Sequence, residues 1–284
     1  MELWLTERES DSVAMRFRVR EVLHTEESAH QRIAILELEA LGRTLVLGDE
    51  IQVTERDSFI YHEMLAHVPL TAHPRPERVL IVGGGDLGLA AEVLKHPEVR
   101  QVDLVEIDAR VLEVSRRWLA GAEQTASDPR VRLVVDDGAR FVASVHSLYD
   151  VVLVDAPDPL GPAVPLFGAE FYRSVREALR NGGMVAAQSG GAWFQQEVTA
   201  RLLAHAAAAF PRVAVYTASV PSYSIGPWTF LVGSLGPDPA RPDELRARRL
   251  DTRYYTPELH RAAFALAPFI RQALEQRSGV RLSG

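Results

Sequence analysis

Two textures of apolar residue run along the chain, and they change over near position 79. Before it, Met15, Phe17 and Val19 alternate with Arg16, Arg18 and Arg20, the period-two pattern of a half-exposed strand. Residues 33–38 and 44–47 continue the β character, with Gly42 and Gly48-Asp49 as turn signals. Residues 1–60 are therefore expected to form a small antiparallel β domain, and short strands of this kind need a partner surface.

From Val79 onward, short apolar runs alternate with helical stretches. The runs at 79–82, 102–106, 131–135, 151–154, 184–187 and 213–216 read as strands. A helical stretch follows the Gly-rich turn after Val82 and ends near Lys95-His96-Pro97, and residues 111–119 and 195–209 read as further helices. This alternation predicts an α/β fold over 61–284, a Rossmann-like, mostly parallel, doubly wound sheet. Pro237-Asp238-Pro239-Ala240-Arg241-Pro242 marks a loop near the C-terminus.

Composition narrows the function classes. The chain has 284 residues, no cysteine and a net charge of −7, so disulfides, thiolate metal ligands and a cysteine nucleophile are excluded. With no basic cluster, no nucleic-acid-binding surface is expected. The first residues are charged without a signal-type apolar core, and no apolar run reaches the length of a membrane span. A cytoplasmic protein without a membrane role is the expectation. The acidic balance is compatible with cationic small-molecule substrates.

Candidate chemistry collects where the predicted strands end. Open α/β sheets bind ligands at the carboxyl ends of their strands. Gly83-Gly84-Gly85-Asp86-Leu87-Gly88 follows the first apolar run and fits G-x-G-x-x-G; Glu106 closes the second and Asp137-Gly138 follows the third. Together they suggest an adenosine pocket, with Glu106 for the ribose hydroxyls. Asp155-Ala156-Pro157-Asp158 follows the fourth run. Two carboxylates in a stiffened loop suit receipt of an ammonium and removal of its proton; a solvated Asp-Pro turn is the competing reading.

Asp86 bears on the kind of nucleoside. Phosphates, or the amino-acid carboxylate of S-adenosylmethionine, would meet a like charge there. At about 4 Å this costs on the order of 1 kcal/mol in water and about 4 at an effective dielectric of 20. A tail ending in an ammonium would pair instead. Asp86 could alternatively cap the following helix.

These segments resemble the polyamine aminopropyltransferases, the spermidine synthase family. The likeness is carried by His30-Gln31, Gln52 to Asp57, Tyr61-His62-Glu63-Met64, Gly83 to Gly88, Glu106-Ile107-Asp108 and Asp136-Asp137-Gly138. It continues through Asp155 to Pro162, Leu166-Phe167, Pro221-Ser222-Tyr223 and Tyr254-Tyr255 with His260 to Phe264. The resemblance implies an N-terminal β domain before a Rossmann-like domain, and transfer of an aminopropyl group from decarboxylated S-adenosylmethionine to an amine. That donor is a co-substrate; no cofactor and no metal are implied.

Carried over by position, Gln31, Asp86, Glu106, Asp137, Gly138 and Pro162 would hold the donor and its methylthioadenosine part. Asp155 would accept the proton. His62, Asp86, Asp158, Tyr61, Tyr223 and Gln188 would address the acceptor amine. A homodimer or homotetramer is implied as well. Putrescine is the first expectation as acceptor, with agmatine, cadaverine or spermidine as alternatives within the class and an S-adenosylmethionine methyltransferase outside it. The chain departs from the family pattern at Leu87, where a glycine is usual, at Ala91, Ala156 and Val164, and at Gly190, where many members carry Glu.

Overall fold

The computed structural model describes residues 2–157, 161–223 and 225–282, without the side chains of 161 and 162. The first five strands, β1 (Leu3–Arg8), β2 (Ala14–Glu27), β3 (Arg32–Leu38), β4 (Gly42–Leu47) and β5 (Glu50–Thr54), form an antiparallel sheet in sequence order. The expectation of an N-terminal antiparallel sheet holds. Strand β1 was not foreseen, because Glu7, Arg8 and Glu9 mask its alternation.

The second sheet contains β6 (Arg78–Gly83), β7 (Gln101–Glu106), β8 (Val131–Val135), β9 (Tyr149–Asp155), β10 (Leu179–Gly191), β11 (Arg212–Ala218) and β12 (Trp228–Ser234). Among the described residues its order is β11-β12-β10-β9-β6-β7-β8. Strands β8, β7, β6, β9 and β10 pair in parallel, and β12 runs antiparallel to both neighbours. The mostly parallel sheet is as expected; the reversed β12 is an addition to it.

Side chains alternate across this sheet and build a core on each face. Leu80 and Val82 of β6 face one way, with Phe171, Tyr172 and Val175 of α6 (Ala169–Ala178) and Leu202 and Leu203 of α7 (Gln196–Ala209). Val79 and Ile81 face the other, with Met64, Leu65 and Val68 of α1 (Ser58–Ala72) and Leu89 and Val93 of α2 (Gly88–Leu94). Fully burying one such side chain stabilises the fold by about 1.5–3 kcal/mol.

Helix α1 escapes periodicity analysis for a physical reason. It is buried nearly all round, from Ile60 to Thr71, and contains Pro69, so it shows no polar face. Its buried polar groups are instead bonded to protein. Glu63 accepts hydrogen bonds from the backbone N–H groups of Arg253, Tyr254 and Tyr255 at 2.8, 2.8 and 2.7 Å.

One face of the N-terminal sheet docks on α3 (Ala109–Trp118). Ile33, Ile35, Leu45 and Val53 pack against Val111 and Val114. Ser28 Oγ donates to Asp108 Oδ2 at 2.6 Å, and Arg110 forms a two-pronged ion pair with Glu26. The sheet is thereby held over the carboxyl ends of the parallel strands. Among the described residues, no helix is long and apolar enough to cross a membrane.

Candidate active site

A cavity of about 570 Å³ lies between the N-terminal sheet and the carboxyl ends of β6, β7 and β9. Its floor is the crossover point of the big sheet, where chain order departs in opposite directions from β6 to β7 and to β9, the place where such sheets open a ligand crevice. A second hollow of about 840 Å³, lined by His146, Arg176, Glu177 and Phe210 among others, lies at the opposite, amino end of the parallel strands. It lacks the buried acid–base groups found in the first.

The Gly-rich turn fits against β9 because it has no side chain at its start. Gly83 has φ +82°, and a Cβ there would lie 2.1 Å from the Asp155 carbonyl oxygen. The Gly84 N–H donates to that same oxygen at 2.9 Å. At the other end of the turn, a Cβ on Gly88 would lie 2.3 Å from His62 Cε1, so this glycine lets α2 approach α1. Leu87 adopts φ +70° and is buried among the apolar residues of α1 and α2. The left-handed backbone that a glycine would take freely is retained here by a packed leucine.

Helix α1 delivers two functional side chains to this turn. Tyr61 donates its hydroxyl to Asp155 Oδ1 at 2.6 Å. His62 Nε2 lies 3.3 Å from Asp86 Oδ1, which also accepts the Gly88 N–H at 2.7 Å. Asp86 thus receives the N–H of the first residue of α2 and borders the cavity. Ligand atoms of His62, Asp86 and Asp155 all lie within 4.8 Å of one another. They could hold a cation, but His62 already faces Asp86, and an organic ammonium can use the carboxylates without displacing it.

Electrostatics separate the three groups. Burial pushes the Asp155 pKa up, the Asp86 charge adds to this, and His62 and the Tyr61 hydroxyl partly offset it, to leave about 6. Burial alone would lower the His62 pKa, but the Asp86 carboxylate raises it to about 9. Burial likewise opposes ionisation of Asp86, and His62 holds its pKa below the ordinary value. Near neutrality the cluster is thus an ion pair beside a carboxylate poised to take a proton. Asp155 Oδ2 is buried beside the Gly84 backbone without a hydrogen-bond partner in the protein, a strong acceptor with its capacity unused.

The nucleoside-side candidates meet at the ends of β7 and β8. Glu106 accepts the Asp108 N–H at 2.9 Å. Burial raises its pKa to about 7 against that hydrogen bond, with the Asp108 and Asp155 charges adding to the rise. Gln31 Nε2 donates to Asp108 Oδ2 at 3.3 Å, which brings the N-terminal sheet to this end of the cavity. Asp137 caps α5 (Gly138–Ala143) by accepting the Arg140 N–H at 3.0 Å. Gln31, Glu106, Asp137 and Gly138 all line the cavity.

The other half is aromatic. Tyr61 packs edge-on against Tyr223 with ring centroids 5.4 Å apart, and Tyr223 meets Trp228 at 4.9 Å. The Tyr223 hydroxyl donates to the Gln52 carbonyl at 2.6 Å. Asp57 anchors the Tyr223 loop, accepting the Ser222 N–H at 2.7 Å. Gln188 also lines the cavity, but its amide is engaged on both sides, donating to the Ala156 carbonyl at 2.8 Å and accepting the Gly190 N–H at 3.0 Å. It thus braces the loop after β9.

Gly190 sits at a bulge with φ +92°, and Gln195 Oε1 occupies the space a side chain would need. At this departure from the family pattern a side chain would strain the left-handed backbone and require Gln195 to move. Asp158 lies outside the described residues, as does the side chain of Pro162. Sequence analysis missed Glu7 and assigned no role to Gln52, although both line the cavity. In the fold Leu5 and Glu7 are half-buried while Trp4, Thr6 and Arg8 are exposed, a sidedness that the charged run Glu7-Arg8-Glu9 hides in the sequence.

Comparison with known proteins agrees over nearly the whole chain. Residues 58–239 match the family model for the spermine/spermidine synthase domain, and residues 3–55 match the spermidine synthase tetramerisation domain. A polyamine aminopropyltransferase of Desulforudis audaxviator is 44% identical, over 95% of this chain and 98% of the relative. One of Bacillus subtilis is 40% identical, over 96% and 99%. A crystal structure of a spermidine synthase in complex with the transition state analogue AdoDATO superposes with a TM-score of 0.94 at 34% identity, covering 96% of this chain and 95% of that one. The spermidine synthase of Thermotoga maritima superposes with a TM-score of 0.92, also at 34% identity, covering 96% and 94%.

Proposed function

The chain belongs to the spermine/spermidine synthase family and is an aminopropyltransferase, and from that premise we propose that it transfers the aminopropyl group of decarboxylated S-adenosylmethionine to putrescine, giving spermidine and methylthioadenosine. The observation that carries this reading is Asp155: a buried carboxylate with a pKa near 6 at the cavity wall, one oxygen oriented by Tyr61 and the other without a hydrogen-bond partner.

In this reading Glu106 and Gln31 hold the ribose side of the donor, with Asp137, Gly138 and Pro162 around the base. The aminopropyl ammonium lies against Asp86. The acceptor runs past Tyr61 and Tyr223, with His62, Asp158 and Gln188 bordering or shaping its path. An amine with a lysine-like pKa of about 10.4 costs roughly 4 to 5 kcal/mol to deprotonate at pH 7. Burial between aromatic rings favours the neutral amine, and Asp155 accepts the proton. The nitrogen lone pair then forms a bond to the carbon beside the sulfonium. The carbon–sulfur bond breaks, its electron pair stays on sulfur, and neutral methylthioadenosine leaves. Alignment by the two half-sites supplies much of the remaining rate enhancement.

The N-terminal match supports oligomerisation, and we extend it to a homodimer or homotetramer. Leu3, Trp4 and Val22 of this sheet are exposed and suit such a contact. Light scattering of the purified protein tests the assembly.

The reaction is tested by incubating the protein with decarboxylated S-adenosylmethionine and a panel of amines, then identifying products by mass spectrometry. Methylthioadenosine and spermidine are expected with putrescine, and no methylthioadenosine with any amine rejects the reading. In Asp155→Asn, turnover is expected to fall at least 100-fold while methylthioadenosine still binds. Unchanged turnover would remove Asp155 from its role as base.

A further inference from the structure

Asp57 stands at the N-cap position of α1, a place that suits a carboxylate, yet its side chain makes no capping hydrogen bond. The carboxylate turns instead to two other segments. Its Oδ1 accepts the Thr54 hydroxyl of β5 at 2.5 Å and the Ser222 hydroxyl at 3.0 Å, and its Oδ2 accepts the Ser222 N–H at 2.7 Å. Asp57, Thr54 and Ser222 are all buried, so the charge is desolvated and its bonds are of the strong, charge-assisted kind. Each of the three segments joined here reaches the acceptor half of the cavity. Tyr61 lies one helical turn further along α1, Tyr223 follows Ser222, and Gln52 shares β5 with Thr54. The rings of Tyr61 and Tyr223 meet edge to face with centroids 5.4 Å apart, and the Tyr223 hydroxyl donates to the Gln52 carbonyl at 2.6 Å. Tyr61, Tyr223 and Gln52 line the cavity; Asp57 does not.

Resting on the aminopropyltransferase reading, we propose that Asp57 is a positioning residue for the acceptor amine: by tying α1, β5 and the Tyr223 loop together it fixes the spacing of Tyr61 and Tyr223, between which the amine passes to Asp155. The nucleoside half has separate supports. Glu106 and Gln31 are tied to Asp108, and Asp137 is tied to α5. Loosening Asp57 therefore acts on the amine and spares the nucleoside. A displacement of about 1 Å at a site can cost on the order of 100-fold in rate, so a residue that never touches the amine governs its use.

The test sets amine kinetics against nucleoside binding in two variants. Asp57→Ala loses every bond the carboxylate makes. Its putrescine KM is expected to rise roughly tenfold or more and its kcat to fall about threefold or more, with methylthioadenosine affinity, measured by calorimetry, within about twofold of the parent. Asp57→Asn is expected to return both kinetic constants to within about threefold of the parent, because its amide oxygen accepts the Ser222 N–H while its NH2 group donates to the two hydroxyl oxygens. A merely structural role would weaken amine and nucleoside together. Such parallel weakening, a putrescine KM unmoved in Asp57→Ala, or an Asp57→Asn variant as impaired as Asp57→Ala overturns the proposal. Should Asp57→Ala fail to fold, Ser222→Ala carries the same comparison: it removes one bond to the carboxylate and is expected to raise the putrescine KM about threefold with nucleoside affinity unchanged, and an unmoved KM there overturns the proposal equally. If the unaltered protein acts on no amine, the reaction itself is misassigned; if it turns over putrescine and the variants do not separate amine from nucleoside, only the role of Asp57 fails.

Discussion

Tyr61→Phe removes a single oxygen from the site and leaves the ring packed against Tyr223 and Phe230. The hydrogen bond lost is the 2.6 Å contact to Asp155 Oδ1, and bonds to a charged acceptor contribute about 1.5–3 kcal/mol. Asp155 Oδ2 has no protein donor to compensate, so the loss falls on the ionised form. At about 1.4 kcal/mol per pH unit, the Asp155 pKa is expected to climb by roughly 1 to 2 from its present value of about 6. The ionised fraction at pH 7 then drops from roughly nine-tenths to between one-half and one-tenth. Turnover near pH 7 is expected to fall about 2- to 10-fold through this effect and to recover as pH approaches 9. The assay is the pH profile of kcat/KM for the acceptor between pH 5.5 and 9, in the parent and in Tyr61→Phe. An acid limb that stays in place would show that Tyr61 does not tune Asp155, and an unmoved limb with a uniform rate loss would assign the tyrosine to positioning alone.

Two further pH dependences follow from groups flanking Asp155. Two ribose hydroxyls donate to both oxygens of Glu106 only when it is ionised, so methylthioadenosine affinity is expected to decline by up to about tenfold per pH unit well below its pKa of about 7. Calorimetry in buffers of different ionisation enthalpy should then show proton release on binding; affinity independent of pH between 5.5 and 7 would exclude a hydroxyl contact to Glu106. His62 has a folded-state pKa raised from 6.5 to about 9, so its ion pair stabilises the fold fully below pH 6.5 and that stabilisation is lost as pH rises through 9. The contribution is on the order of 3 kcal/mol. The stability difference between the parent and His62→Gln, from denaturant unfolding, is expected to shrink from pH 6.5 to pH 9.5, and a constant or growing difference would refute the pairing with Asp86.

Much of this protein was settled by local chemistry. Alternation at residues 15–20 and apolar runs such as 79–82 and 151–154 specify strands and the sides they bury, because a strand's side-chain period does not depend on its neighbours. Glycines at 83 and 88 and carboxylates at 86, 106 and 155 marked the strand ends where ligands gather. Other features depended on contacts distant in sequence. Helix α1 has no polar face to betray it, since α2, the large sheet and the C-terminal segment cover it. Its pairing of Tyr61 with Asp155 and of His62 with Asp86 joins residues 94 and 24 positions apart. The perturbed acidities arise from burial and from those pairings, so they exist only once the chain is folded. Glu7 looks like any charged strand residue until β1 is laid beside β5 and the sheet is docked over the cavity. Backbone periodicity is written residue by residue, whereas a desolvated charge and its partner are properties of the space that folding encloses.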